Sequence, residues 1–68
     1  MKKKATNQEK EIFLYLNRLR VSGITNMFGA APYIVEMFEV SKPEARKFLG
    51  LWMKNFNDEG NYDEIEVS

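Results

Sequence analysis

Residues 34–49, IVEMFEVSKPEARKFL, hold the change of pattern that decides the fold. Ile34, Val35 and Phe38 recur at helical spacing, and so, further on, do Ala45, Phe48 and Leu49. Between the two runs lie only Glu39, Val40 and Ser41, so the chain must turn sharply there. Ser41 followed three residues later by Glu44 is a capping box: the serine hydroxyl takes a backbone N–H of the first turn while the glutamate reaches back. Pro43 fits that opening turn because its missing N–H would have no helical partner there. Beyond Leu49, the residues Trp52, Met53 and Phe56 extend a broad apolar face, which predicts a helix over about 42–56. Lys42, Glu44, Arg46, Lys47, Gly50 and Lys54 fall on its other sides.

Working outward, Ile12, Leu16 and Leu19 form one stripe, widened by Phe13 and Tyr15, and predict a first helix from Asn7 or Gln8 to about Val21. Ser22 and Gly23 stop it, since glycine accepts left-handed backbone. Thr25 or Asn26 caps a helical turn at about 25–30, and Pro32 opens a second helix at about 31–38. One helix over 25–38 kinked at Pro32 is the alternative. Residues 1–8 are polar and without periodicity and read as a flexible basic arm. In the acidic tail, residues 59–68, Tyr62, Ile65 and Val67 alternate imperfectly with acids. With no partner strand evident, disorder or docking on the core is expected rather than a sheet.

The expected fold class is therefore all-α: a small three-helix domain over 9–58 with an extra short helical turn and an extended tail. Its expected core is Leu16, Leu19, Phe38, Val40, Phe48, Leu49 and Trp52.

Sixty-eight residues make one domain with one small core, and packing alone or self-association must hold it, because the chain has no cysteine and no histidine. The same two absences remove the usual nucleophile, general base and metal ligands. The expectation is a non-enzyme with no cofactor, no metal and no catalytic residues. No apolar run approaches the roughly 18 residues of a membrane span, and Lys2–Lys4 lead into no apolar signal segment. A soluble, cytoplasmic protein without a membrane partner is expected. Ten basic and ten acidic side chains cancel in sum but not in place. Residues 1–20 carry six basic groups against two acidic ones, and residues 57–68 carry five acidic and no basic ones. That polarity points to a charged partner, to pairing of the two ends, or to solubility alone.

The segment quoted first resembles the helix-turn-helix pattern: Val35 within the second helix, a turn at Glu39, Val40 packing inward, Ser41 as cap, Ala45 where the helices approach, and Phe48 and Leu49 closing the core. It departs at the turn, where the position usually held by glycine is Glu39. The resemblance implies a regulatory DNA-binding protein whose third helix enters the major groove, presenting Lys42, Glu44, Arg46 and Lys47, with Lys54 following the backbone. Arg46 suits a bidentate contact to guanine, and Lys42 and Lys47 suit phosphate. Lys2–Lys4 would add phosphate contacts as an arm, the acidic tail would compete with DNA for the basic groups, and a homodimer would enlarge the contact.

Against this, residues 21–56 hold only four basic and three acidic groups, a weak footprint for DNA. A non-enzymatic adaptor that docks on a protein partner uses the same three-helix unit. Met27, Phe28 and Met37 would be its contacts, or those of a dimer, beside the small residues Gly29, Ala30 and Ala31. NFNDEGNYDEIE, residues 55–66, follows the spacing of a calcium-binding EF-hand loop, but its first position lacks Asp and no exiting helix has room to follow. The phrases GITNMFGAAPYIVEMF and EARKFLGLWMKNF, within residues 23–56, resemble small proteins of tailed phages, particularly those of marine cyanobacteria. That resemblance implies an accessory or regulatory role toward a host or phage protein in the host cytoplasm.

Overall fold

The computed structural model describes residues 1–23, 26 and 29–67. Its elements, in chain order, are β1 (Lys2–Lys4), α1 (Asn7–Ser22), α2 (Ala31–Phe38), α3 (Lys42–Asn55) and β2 (Glu64–Glu66). α1 starts at a capping box, with Thr6 accepting from the Glu9 N–H at 3.1 Å and Glu9 accepting from the Thr6 N–H at 2.8 Å. It ends at Gly23, whose φ of 70° lies in the left-handed region. α3 starts at the second capping box, Ser41 with Glu44, and carries Pro43 in its first turn. α2 begins after Ala30, so the kinked single helix does not form over the described residues. At the expected helical turn before it, Asn26 takes the Gly29 N–H on both its carbonyl and its side chain, and Thr25, Met27 and Phe28 lie outside the described residues.

Both chain ends depart from expectation. Lys2–Lys4 and Glu64–Glu66 pair antiparallel, with Lys2 opposite Glu66, Lys3 opposite Ile65 and Lys4 opposite Glu64. The flanks continue the ladder through Val67 N–H to Met1 O at 2.9 Å and Ala5 N–H to Asp63 O at 3.0 Å. The fold is thus three helices closed by a two-stranded sheet rather than all-α, and neither the arm nor the tail is loose. Two effects drive the pairing. Opposite charges face each other across the strands, and the sheet covers the core with Ala5, Tyr62 and Ile65, all buried. Asn55, at the end of α3, fastens the outer side of β2: its Oδ1 takes the Glu66 N–H at 2.6 Å and its Nδ2 donates to the Glu66 carbonyl at 2.9 Å. Gly60, at φ 76°, shapes a turn beyond the end of α3, which stops at Phe56.

The core is Ile12, Phe13, Leu16 and Leu19 of α1, Ala30 and Ile34 around α2, Ala45, Leu49 and Trp52 of α3, and the three terminal residues just named. Phe38, Val40 and Phe48, expected inside, pack against this core while half-buried, because the sheet and the α1 aromatics fill the centre. Phe13 is fully buried and meets the Tyr62 ring at 5.2 Å between centroids.

Candidate functional site

The turn from α2 into α3 positions the candidate site. Glu39 adopts left-handed backbone (φ 55°, ψ 42°) and its N–H closes α2 on the Val35 carbonyl at 2.9 Å. The conformation that a glycine would take freely is therefore present with a glutamate in it, at a conformational cost that packing on both sides offsets. Ile34 and Ala45 are fully buried where the helices meet, and Val40 is half-buried between them. Ala45 has to be small for this approach. α3 then faces outward with Lys42, Pro43, Glu44, Arg46, Lys47, Gly50, Met53 and Lys54, all exposed.

The sequence-predicted cations converge on this face. Lys42 and Arg46 are one turn apart and, with Gly29, Ala31, Pro32, Val35 and Glu36, border an open groove of about 540 Å³ beside the start of α2. Lys47 and Lys54 are two turns apart, and from Lys42 to Lys54 the helix rises about 18 Å. Among the described residues, no acid lies within ion-pair distance of Lys42, Arg46, Lys47 or Lys54. Lys54 still acts on Glu66 at longer range. Glu44 differs from the other predicted contacts, since its carboxylate is held by the Ser41 hydroxyl at 2.9 Å.

Of the other six basic side chains, three are engaged in ion pairs within the molecule, as is the N-terminal amine. Lys3 meets Glu9 at 2.9 Å, Lys10 meets Asp63 at 3.4 Å, Arg20 meets Asp58 at 3.8 Å, and the Met1 amino group meets Glu66. Arg20 also stacks over Phe56, 4.7 Å from the ring centroid. The predicted phosphate-binding arm is thus a strand, and the tail reaches the N-terminal half of the chain rather than Arg46 and Lys47. Burial works to raise the Glu9 carboxyl, but the bonds from Lys3 and Thr6 outweigh it and hold the group below the usual glutamate range. Glu66 is held low chiefly by the N-terminal ammonium.

Of the predicted partner contacts, Met37 is 59% exposed, and Met27 and Phe28 lie outside the described residues. Met37 stands among Leu14, Tyr15, Arg18 and Tyr33, where α1 and α2 leave shallow apolar grooves. Burial, helped by Tyr33 and Glu36, pushes the Tyr15 hydroxyl above its usual value. Among the described residues no three metal-ligating side chains converge, and no helix is long and apolar enough to cross a membrane.

Sequence reasoning overlooked Asn17. Its Oδ1 accepts from Trp52 Nε1 and from the Tyr62 hydroxyl, each at 2.8 Å, and its Nδ2 donates to the Asn57 carbonyl at 3.0 Å. The signal was present in the helical pattern, which places a polar residue beside the Ile12, Phe13 and Leu16 stripe. In comparisons with known proteins, the chain matches no family model, no curated protein and no solved structure.

Proposed function

We propose that this chain is a small regulatory DNA-binding protein in which α2, the turn at Glu39 and α3 act as a helix-turn-helix unit and α3 is the recognition helix. One observation carries the proposal. Among the described residues, the four cations of α3 are exposed and without ion pairs, while three of the six in β1 and α1, Lys3, Lys10 and Arg20, are taken up by acids of the chain. An exposed row of unpaired cations gains most from phosphate, because binding releases condensed counterions. Arg46, whose guanidinium forks to two acceptors, is assigned to a guanine edge, and Lys42, Lys47 and Lys54 to phosphates. Glu44 serves the capping box and fixes the start of the helix. The terminal sheet is structural, and the acidic tail does not act as a brake on α3. A single module of this size covers a short site, so two copies on adjacent half-sites complete the proposal.

Replacing Arg46 and Lys47 together by alanine tests it, since both are exposed and the fold has no use for their charge. Titrating a labelled duplex into the full chain at low salt should show binding by wild type and at least a tenfold weaker Kd for the double variant, a loss of about 1.4 kcal/mol or more. Equal affinity of the two proteins would refute the assignment.

The exposed Met37, with Leu14 beside it, favours a second reading, a non-enzymatic adaptor for a host or phage protein. That reading predicts no duplex binding by either protein.

A further inference from the structure

Two of the described glycines have a reason within the molecule. Gly23 and Gly60 adopt left-handed backbone, and a β-carbon on Gly60 would also come within 3.0 Å of Leu14 Cδ2. Gly50 has neither reason. It lies inside α3 in helical conformation, is exposed, and a β-carbon added there would meet nothing within 4 Å. Glycine is among the least favourable residues at such a position, and alanine would strengthen the helix at no steric expense to the fold. The space beside Gly50 is open to a partner from outside the chain.

The surroundings identify the chemistry of that outside partner. One turn before Gly50 are Arg46 and Lys47, one turn after it are Met53 and Lys54, and Pro43 lies two turns before, all exposed. Gly50 is thus the bare centre of a cationic face. A helix with side chains is about 10–12 Å across and the major groove about 12 Å wide, so the helix backbone comes nearest to the duplex where the innermost residue is small. We propose that Gly50 is the seating point of α3 in the major groove, where the helix backbone approaches the duplex and the depth of insertion, and with it the reach of Arg46 and Lys47, is set. This inference rests on the DNA-binding reading.

The test compares Gly50→Ala, Gly50→Leu and the Arg46→Ala/Lys47→Ala double variant with wild type, all as full chains, by thermal melting and by titration with a labelled duplex at low salt. Gly50→Ala should raise Tm by about 4–8 °C. It should nevertheless weaken duplex binding about tenfold, and Gly50→Leu about a hundredfold, with the helical circular dichroism of both unchanged. Gain of stability with loss of binding is the expected signature. Wild-type affinity in both glycine variants, with binding lost in the double variant, would overturn the role of Gly50 and leave the DNA-binding reading standing. A fall in Tm for Gly50→Ala would show that the glycine serves the fold and would overturn it as well. Absence of duplex binding by wild type would overturn both.

Discussion

Asn17 joins three parts of the chain that are far apart in sequence. It sits on α1, yet its amide bonds to Trp52 from α3 and to Asn57 and Tyr62 from the segment after it. Tyr62 also accepts the Asn57 N–H at 3.1 Å, so the side chain of Asn17 and the Tyr62 ring hold the exit of α3 against the start of the tail. Asn17→Ala would leave the Trp52 N–H, on a buried residue, without its acceptor, and the Tyr62 hydroxyl with only the Asn57 carbonyl at 3.2 Å. The expected loss is about 1–3 kcal/mol, the usual consequence of stranding buried polar groups. In urea unfolding followed by Trp52 fluorescence, the midpoint should fall while the slope stays the same. An unchanged midpoint would show that solvent replaces the amide without loss.

At the scale of elements, the terminal strands are held by charge as much as by burial. Glu9 and Glu66 both have lowered folded-state pKa values, the first against the opposing effect of burial through Lys3 and Thr6, the second through the N-terminal ammonium. A carboxyl with a depressed folded pKa contributes stability that is fully present above its unfolded value, about 4.3, and is lost as pH falls through the folded one. Tm should therefore hold steady near neutrality and drop as pH falls below about 4.3. Glu9→Gln, which keeps the shape of the capping group, should lower Tm at pH 7 and reduce the drop on the acid side. An acid-side drop in Glu9→Gln equal to that of wild type would remove Glu9 from the explanation.

The same elements show what was legible in the sequence. α1 and α3 could be read closely because their caps are local: Gly23 for one and the Ser41 and Glu44 box for the other each act within four residues. The sheet could not, because lysine has low strand propensity and the partner of Lys3 is Ile65, at the far end of the chain. The burial of Tyr62 and Ile65 follows from that pairing and stayed hidden with it. At the site, the outward placement of Lys42, Arg46, Lys47 and Lys54 was legible from helical spacing alone. That Lys3, Lys10 and Arg20 are spent on acids of the chain, and that nothing packs on Gly50, depends on tertiary contacts that no local pattern encodes.

For the whole molecule, the formal charge of zero conceals a division of labour. The acids Asp58, Asp63 and Glu66 meet Arg20, Lys10 and the N-terminal amine, while among the described residues Lys42, Arg46, Lys47 and Lys54 of α3 form no ion pair. A neutral protein can in this way present a local field to a polyanion. Closure of the ends also completes the core of so short a chain, since Ala5, Tyr62 and Ile65, three of its twelve residues, are contributed by the termini. Removing the tail would strip that core, so the function has to be examined on the full chain. The most direct measurement is the salt dependence of duplex binding by the wild-type protein. Three phosphate contacts per copy, from Lys42, Lys47 and Lys54, predict that log K falls against log salt with a slope of about −2.7 for one chain and about −5.4 for two copies on adjacent half-sites. A slope near zero, or no binding at the lowest salt, would contradict the account.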